Sequence, residues 1–245
     1  MMEALVFRRL KENLEVSPTL LDIQELNNAA LAGKYDITKI SAATLPLVRD
    51  HYELLDSGSA MGFGCGPILI SKEHYTIGDL SDKVIGIPGK NTTAHYLFNH
   101  FVKKFKEKKY LVFNQIESAC LDGTIDAGVM IHEGRFTYQS KGLKLIADLG
   151  TLWEEEHHLP IPLGVLVAKK SLGAEKIKKI ERCIKESIQY ASDHPEVSKA
   201  YIADHAQEMS PEVTKMHIDL YVNQFSLSMG KEGRNALNFL LSQPS

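Results

Sequence analysis

The stretch LPIPLGVLVAKK, residues 159–170, is a long apolar strand pattern that carries two prolines. Because proline cannot donate a ladder hydrogen bond, the pattern indicates either an edge strand or a segment that crosses between two sheets. A second long strand pattern, residues 64–70, overlaps the end of a glycine-dense stretch at residues 57–66. Such glycine density marks a bend or a close backbone approach. The two strands therefore predict two lobes joined by a double crossover, with a cleft at the hinge.

Strand-like and helix-like patterns alternate along the rest of the chain. Strands are expected at residues 16–22, 35–41, 83–90, 109–114, 126–134 and 143–150. Helices are expected at residues 3–13, 23–35, 42–50, 92–105, 116–123, 175–193, 195–207, 210–225 and 231–243. Alternating units of this kind predict α/β sheets that bind ligands at the carboxyl ends of their strands. We expect residues 1–67 and 163–245 to form one discontinuous lobe and residues 68–162 to form the other.

Composition excludes several classes of protein. The 245 residues are 44% hydrophobic, which is enough for one large or two small domains with an ample core. A net charge of -3 without a basic stripe argues against nucleic-acid binding. The three cysteines have no metal-ligand spacing and indicate reduced buried thiols. The sequence shows neither an export signal nor a run of about 18 apolar residues, so it predicts a soluble cytoplasmic protein without a membrane partner.

The turn IPGKNTTAH, residues 87–95, lies between a predicted strand and a predicted helix. Asn91 or Thr92 can cap that helix, and the turn would then present backbone N–H groups and hydroxyls to a carboxylate or a phosphate. Capping without any ligand is the structural alternative. The turn is not a Walker A loop, because Asn91 stands where that motif needs Ser or Thr and Val84 stands where it needs its first glycine.

Two further polar clusters belong to strand ends and turns. Ser41 ends a predicted strand, and Lys39, two residues earlier, shares its face. Ser57 and Ser59 flank Gly58 in the turn DSGSA. Serine and glycine most often serve the geometry of such turns. Neither cluster has the Gly-x-Ser-x-Gly spacing of a nucleophile elbow.

The stretch AGVMIHEGRFTY, residues 127–138, ends a strand pattern at His132, with Glu133 and Arg135 directly behind it. An imidazole at the carboxyl end of a strand faces the ligand edge and can accept a proton near neutral pH. His132 is therefore the candidate base, and a structural histidine is the alternative. HEGRF is not the zinc motif HExxH. The run EEEHH, residues 154–158, is interpreted as a solvated acidic helix or loop, because nothing in its spacing fixes metal ligands.

Five stretches together resemble one known enzyme family. They are ITKIS (37–41), SGSAMGFGCGPILIS (57–71), IGIPGKNTTA (85–94), IHEGRFTYQSKGLKLIADLGTLWEEEHHLPIPLG (131–164) and LYVNQFSL (220–227). The family is that of the 1,4-dihydroxy-6-naphthoate synthases of the futalosine route to menaquinone, and the likeness runs through almost the whole chain. The sister family, chorismate dehydratase, has a similar fold but lacks the His-Glu-Gly-Arg-Phe-Thr-Tyr block in this form.

The resemblance implies a type II periplasmic-binding-protein-like fold recruited for catalysis in the cytoplasm. It implies a lyase that converts cyclic de-hypoxanthine futalosine to 1,4-dihydroxy-6-naphthoate and a small ribose-derived fragment, without a cofactor or a metal. His132 would be the general base, and Glu133 and Arg135 would hold the neighbouring backbone and lobe contact. The residues expected to bind polar groups of this small carboxylate substrate are Ser41, Thr92, Thr93, Lys39, Ser57 and Arg135.

The sequence leaves two alternatives open. One is a non-catalytic solute-binding protein that closes on a small carboxylate, although such a protein usually carries an export signal. The other is a chorismate dehydratase, and the sequence is also compatible with a homodimer. Members of the resembled family begin with a strand and a Ser-Pro-Cys-Pro-Asn-Asp-Thr loop, whereas this chain begins within the helix that follows. We therefore expect the reading frame to extend upstream by roughly 15–20 residues, the length of one strand and one loop.

Overall fold

The computed structural model describes residues 3–12, 14–205 and 210–243. Its strands are β1 (Ile37–Ser41), β2 (Tyr52–Leu54), β3 (Ala60–Gly62), β4 (Ile68–Ser71), β5 (Val84–Ile87), β6 (Glu107–Tyr110), β7 (Ala127–Met130), β8 (Lys144–Asp148) and β9 (Ile161–Lys169). Its α-helices are α1 (Glu3–Val6), α2 (Ile23–Leu31), α3 (Leu45–Val48), α4 (Thr93–Phe101), α5 (Ile116–Leu121), α6 (Gly134–Thr137), α7 (Leu149–His157), α8 (Ala174–Asp193), α9 (Pro195–His205), α10 (Pro211–Tyr221), α11 (Gln224–Leu227) and α12 (Gly230–Ser242). Short 3-10 helices lie at Ala42–Thr44, Ile77–Asp82, Phe113–Gln115, Gln139–Lys141 and Lys170–Leu172.

Strand β9 is the centre of the first sheet. β1 pairs with one side of β9, and β2 and β3 pair with the other side, all in antiparallel orientation. The edge-strand alternative for residues 159–170 is therefore wrong, and the crossover alternative is confirmed. Pro162 lies opposite Met61 beside a shift in the pairing register, so its missing N–H falls where the ladder is already irregular.

The second sheet is mixed. Its strand order is β6-β5-β7-β4-β8, with β5 parallel to β6 and β7, and β4 antiparallel to β7 and β8. The chain enters this sheet between β3 and β4 and returns to the first sheet between α7 and β9. Two connections thus join the sheets, as the double crossover requires. The exact lobe boundaries expected near residues 67 and 162 stay a prediction.

Apolar side chains cover both faces of each sheet. In β4, Leu69 packs into one cluster with Phe98 and Trp153, whereas Ile68 and Ile70 face a different cluster, as the two-residue period of a strand demands. In the first sheet, one face packs on α11 and α12, and the other packs on α8. The helices are thus covers for the sheets, and none within the described ranges is long and apolar enough to cross a membrane.

Three expectations drawn from local patterns were wrong. Residues 16–22 are irregular rather than a strand, because Leu20 and Leu21 are exposed and only Val16 packs against a core cluster; the segment ends at Asp22, the N-cap of α2. Of the helix expected at residues 3–13, only α1 is formed, because Arg8 adopts a left-handed φ of 53°. Residue 13, the last of the expected helix, lies outside the described residues.

The third wrong expectation is a strand at residues 109–114. Strand β6 ends at Tyr110, and a 3-10 helix occupies Phe113–Gln115. The helix expected at residues 195–207 is confirmed to His205, and its last two residues lie outside the described part of the chain. The strand at residues 35–41 and the helices at residues 23–35 and 175–193 are confirmed within a few residues.

The first crossover, residues 63–67, depends on two glycines packed against each other. A Cβ atom added to Gly66 would lie 2.3 Å from the Cα atom of Gly150 and 2.7 Å from its nitrogen. Gly150 belongs to the first turn of α7, and α7 leads into the second crossover. The glycine pair therefore allows the two connections between the lobes to lie in contact.

Replacing Gly66 with alanine should lower the free energy of unfolding by roughly 1–3 kcal/mol, the usual cost of overpacking, because the new methyl group meets backbone rather than a flexible side chain. Gly78→Ala is the matched control, since its Cβ would find its nearest neighbour, Thr76 Oγ1, at 3.6 Å. Chemical denaturation of both variants measures the difference. Equal midpoints for the two variants would show that the crossover moves freely away from α7.

Candidate functional site

A cavity of about 150 Å³ lies between the two sheets. The first lobe lines it with Ile23, Lys39, Ser41, Ala60, Leu163 and Gly164. The second lobe contributes Thr92, Thr93, Ala94, Ile131 and His132, and the first crossover and α10 contribute Cys65, Pro67, His217 and Tyr221. Five of the seven predicted site residues therefore meet at one cavity, namely Lys39, Ser41, Thr92, Thr93 and His132.

Residues 91–93, which we call the latch, fasten the second lobe to the first at the cavity wall. The Asn91 carbonyl oxygen accepts hydrogen bonds from Thr44 Oγ1 at 2.6 Å and from Asn27 Nδ2 at 3.2 Å. The Asn91 N–H donates to Gln24 Oε1 at 3.2 Å. A single peptide segment of the second lobe is thus held by three side chains of the first lobe.

Thr93 adds a further connection between the lobes. Its hydroxyl donates to the Leu163 carbonyl at 2.9 Å and accepts from the Ala43 N–H at 3.3 Å. Both partners belong to the first lobe, on β9 and just after β1. The hydroxyl of Thr93 is therefore committed to protein groups, although the residue itself lines the cavity.

Thr92 caps α4, as the turn predicted. Its Oγ1 accepts from the His95 N–H at 3.1 Å and donates to the Gly89 carbonyl at 2.9 Å. The first N–H groups of a helix have no intrahelical acceptor. Within the described ranges, the N–H groups of Thr93 and Ala94 find no acceptor, and both residues line the cavity. The backbone of this turn, more than its hydroxyls, is therefore available to an anion.

Ser41 and Lys39 lie on one face of β1 and both line the cavity. The buried Asn27 amide binds Ser41 twice, accepting from its N–H at 2.8 Å and donating to its Oγ at 3.0 Å, which leaves the hydroxyl proton for a ligand. Burial lowers the pKa of Lys39 to about 8, so its amine stays mainly protonated at neutral pH. No carboxylate in the described part of the chain forms an ion pair with it.

His132 stands just beyond the end of β7 in a left-handed conformation, with φ of 57°. Histidine tolerates this region better than most residues, and here it turns the chain sharply from the strand into α6. Phe113 contacts the ring edge-on, with centroids 5.2 Å apart. Burial, and then the nearby His217 and Lys39, lower the pKa of His132 to about 4, so the imidazole is neutral at physiological pH. Neither ring nitrogen has a hydrogen-bond partner among the described residues.

His217 and Tyr221 belong to the site but were not predicted. They are one turn apart on α10, with ring centroids 4.6 Å apart, and the His217 ring lies 6.1 Å from that of His132. Burial and the charge of Lys39 lower the pKa of His217, and burial raises the pKa of Tyr221 above its usual range. Two aromatic rings at this helical spacing were the available signal, and Tyr221 falls within the family-like stretch at residues 220–227.

Cys65 also lines the cavity and was not predicted as a site residue. Burial, followed by the charge of Glu154, raises the pKa of its thiol to about 12. The thiolate form is the nucleophile and metal ligand, so this group contributes shape and apolar surface at neutral pH.

Ser57 is placed away from the cavity. Its hydroxyl is buried and donates to the Leu227 carbonyl at 2.8 Å, which fastens the glycine-rich turn to α11. The hydroxyl that was expected to contact substrate is instead used in a hydrogen bond to α11. The structure therefore does not support substrate contact by Ser57.

Arg135 also lies outside the cavity lining. Its guanidinium donates to the Gly66 carbonyl at 2.8 Å and forms an ion pair with Asp148. Glu154 contacts the same crossover, accepting from the Gly64 N–H at 2.6 Å, and burial raises its pKa. The interpretation of residues 154–158 as solvated is thus wrong for Glu154, because α7 packs along the crossover. Arg135 and Glu154 both hold the crossover to the second lobe.

The assembled site can bind an anion and remove a proton. Among the described residues, backbone N–H groups without an acceptor, a serine hydroxyl and a lysine without an ion-pair partner surround a space with mainly apolar walls. A neutral imidazole with unengaged nitrogens stands in the same space. This arrangement fits a small carboxylate with a large apolar body.

The fold and the site define the class of protein to which this chain belongs. It is the class with a two-lobed, type II periplasmic-binding-protein-like fold and a cavity between the lobes. The alkanesulfonate-binding protein of Xanthomonas axonopodis pv. citri, solved with MOPS bound, has the same fold with a TM-score of 0.62 at 15% identity, over 82% of this chain and 71% of that one. A protein of Archaeoglobus fulgidus is more similar, with a TM-score of 0.92 at 33% identity over 98% of this chain and 89% of that one. The predicted fold is confirmed.

Sequence comparison narrows the class to a family. A family model described as menaquinone biosynthesis matches residues 1–243. The 1,4-dihydroxy-6-naphthoate synthase of Streptomyces coelicolor is 39% identical over 98% of this chain and 86% of its own length. The corresponding enzyme of Thermus thermophilus is 38% identical over 98% of this chain and 87% of its own length. The chain therefore belongs to the menaquinone biosynthesis family, and the resemblance to the 1,4-dihydroxy-6-naphthoate synthases is confirmed.

Thr93→Val should lower the free energy of unfolding by roughly 1–3 kcal/mol, because it leaves the part-buried Ala43 N–H and Leu163 carbonyl without this partner. Thr93→Ser keeps the hydroxyl and is the matched control. Denaturant titrations of both variants give the comparison. If the valine variant is as stable as the serine variant, the hydroxyl does not hold the lobes together.

The stability of the protein should fall as the pH drops from 6.5 towards 4. The pKa of His132 is about 4 in the folded protein and about 6.5 in an unfolded chain, so the unfolded state binds more protons in this interval. The contribution of neutral His132 is fully present above pH ~6.5 and decreases as pH falls. His132→Asn tolerates the left-handed backbone and does not titrate, so it should lose less stability between pH 7 and pH 5. Identical losses in the two proteins would contradict burial of a neutral His132.

Proposed function

We propose that the protein is a carbon–carbon lyase that converts cyclic de-hypoxanthine futalosine to 1,4-dihydroxy-6-naphthoate in menaquinone biosynthesis, with His132 as the general base. The observation that carries the proposal is the neutral, unengaged imidazole of His132 in the same cavity as an anion-binding turn. Similarity to two 1,4-dihydroxy-6-naphthoate synthases supports the choice of product.

The substrate carboxylate is proposed to lie at the N-terminus of α4. The free N–H groups of Thr93 and Ala94 would donate to it, and the positive end of the helix dipole favours its charge. Ser41 would donate its hydroxyl proton to a further oxygen of the substrate. Thr92 and Thr93 side chains would support this site by holding the turn rather than by direct contact.

His132 would remove a proton from the carbocycle of the bound substrate. A base is effective at the operating pH only when it is largely unprotonated, and a pKa of about 4 leaves His132 neutral throughout the physiological range. Its left-handed backbone positions it at the end of β7, where the strand meets the cavity. The lost proton allows the carbon–carbon bond to the ribose-derived remainder to break, and formation of an aromatic ring drives the reaction forward.

Lys39 would stabilise the negative charge that develops when the proton leaves. Its ammonium is mostly present at neutral pH and lacks a carboxylate partner within the described ranges, so its field acts on the cavity. Apolar residues such as Ile131, Leu163 and Pro67 would pack on the carbocycle and exclude water. This route uses the chain's own residues without a cofactor. We place the reaction in the cytoplasm. The expected binding partner of the protein is its small-molecule carboxylate substrate.

The direct test is incubation of the protein with cyclic de-hypoxanthine futalosine and detection of 1,4-dihydroxy-6-naphthoate by mass spectrometry. His132→Asn should reduce turnover by ~100- to 10,000-fold, the usual range for loss of a general base, while the dissociation constant for the product changes little. His74→Asn, at an exposed histidine outside the cavity lining, is the matched control and should retain turnover.

The outcome also separates the alternatives. Near-normal turnover by His132→Asn would remove this residue from catalysis. Binding of the compound without conversion by the wild-type protein would favour a solute-binding role. Conversion of chorismate by the wild-type protein, followed by mass spectrometry, would indicate a chorismate dehydratase.

A further inference from the structure

Three buried polar atoms surround the C-terminal end of α4, on the opposite end of that helix from the cavity turn. The atoms are Tyr96 Oη, Trp153 Nε1 and His157 Nε2, and none has a hydrogen-bond partner among the described residues. Their rings encircle His100, with ring centroids between 5.6 and 6.5 Å from its own. Buried polar groups are almost always satisfied by protein, water or an ion. This concentration of unsatisfied atoms therefore indicates a polar site beside the partly exposed His100 and Glu156.

Three potential metal ligands converge at this place. His100 Nε2 lies 3.5 Å from Glu156 Oε1, and His157 Nε2 lies 3.7 Å from the same oxygen. The three ligand atoms all lie within 4.8 Å of one another. Ligands at ordinary Zn²⁺ bond lengths in a tetrahedron are roughly 3.3–3.6 Å apart, so the His100–Glu156 separation of 3.5 Å already matches such a site and the His157–Glu156 separation of 3.7 Å lies just above it.

The chemistry and the packing of the ligands fit a divalent transition metal. Two imidazoles and one carboxylate form a recognised zinc donor set, with a fourth position open to water. The His157 ring packs against Trp153 at 4.5 Å and Phe239 at 4.7 Å, which fixes its orientation, and its side chain is only 10% exposed. Glu156 is 52% exposed, so an ion can enter from solvent on that side.

A simple ion pair does not explain the arrangement. If a protonated His100 paired with Glu156, the buried Nε2 atom of His157 would still have no partner at hydrogen-bond distance. A cation bound by His100 Nε2, Glu156 Oε1 and His157 Nε2 would give the buried His157 Nε2 a partner, whereas Trp153 Nε1, an N–H donor, needs an acceptor instead.

We propose that His100, Glu156 and His157 form a binding site for Zn²⁺ or a similar divalent transition metal. The ion would connect the last turn of α4 to the end of α7 through its ligands. α4 begins at the latch beside the cavity, about 10 Å away along the helix axis at 1.5 Å per residue. α7 leads through His158 into β9 and the first lobe. The metal therefore has a structural role, separate from the proposed reaction, and holds the helix of the anion site against the second crossover.

Titration of the metal-free full chain with ZnCl₂, followed by thermal unfolding, tests the site. At a free Zn²⁺ concentration 100-fold above the dissociation constant, the melting temperature should rise by roughly 5–10 °C, given ordinary linkage and a chain of this size. The rise should be lost in His100→Asn and in Glu156→Gln, which alter partly exposed side chains and spare the core. His74→Asn, at an exposed histidine outside the group, should keep the full rise.

Co²⁺ provides a second readout that does not depend on stability. Binding at a histidine and carboxylate site should produce a visible absorption band at one equivalent, and Zn²⁺ should displace it. The band should disappear in His100→Asn and persist in His74→Asn. No band and no change of melting temperature in the wild-type chain would overturn the proposal. Equal effects in wild type and His100→Asn would also overturn it, because the ion would then bind elsewhere.

Discussion

The latch at residues 91–93 is the contact on which the cavity depends. One peptide carbonyl, that of Asn91, accepts hydrogen bonds from Thr44 and Asn27. The hydroxyl of Thr93, in the second lobe, forms hydrogen bonds with β9 and with the segment after β1, both in the first lobe. These bonds bring the start of α4 against the first sheet, so that the free N–H groups of the helix face a space bounded by both lobes. Without them, the same N–H groups would face bulk water, where a carboxylate gains little from them.

Asn27 connects this contact to the cavity side of the first lobe. Its buried amide binds both the backbone and the hydroxyl of Ser41 while it donates to Asn91. A single side chain thus sets the position of a cavity hydroxyl and the approach of the opposite lobe. Because a buried amide must satisfy both its oxygen and its nitrogen, a shift at one partner is costly at the other.

Burial supplies the electrostatic character of the site. It lowers the pKa of His132 and of Lys39, and these two groups and His217 share a small space without a carboxylate partner in the described ranges. A cavity of this kind favours an anion, because a negative ligand satisfies the lysine charge and the helix end together. It also favours a neutral base, since a second positive charge beside Lys39 would be repelled. Affinity for a carboxylate and the unprotonated state of His132 at neutral pH therefore have one physical origin.

Some residues of this site could be predicted from the sequence, because local backbone geometry alone places them at the cavity. Ser41 ends β1 and His132 lies just beyond the end of β7, and the carboxyl ends of strands face the ligand in such folds. Thr92 stands where a helix begins, and a threonine there caps. Ser57 and Arg135 could not be placed in the same way, since each hydrogen bonds to a segment remote in sequence. His217 was missed because α10 meets the cavity only through the packing of the C-terminal helices on the first lobe.

By itself the sequence determined the alternation of strands and helices, the double crossover, the family and the cavity-facing ends of β1 and β7. Those features follow from periodicity, glycine and proline placement, and family-specific blocks of residues. Only the tertiary structure decided that β9 is central, that the threonine hydroxyls are used by the protein, and that His132 is neutral. Each of these depends on groups that approach within a few ångströms from distant parts of the chain, and on burial, which no local pattern records.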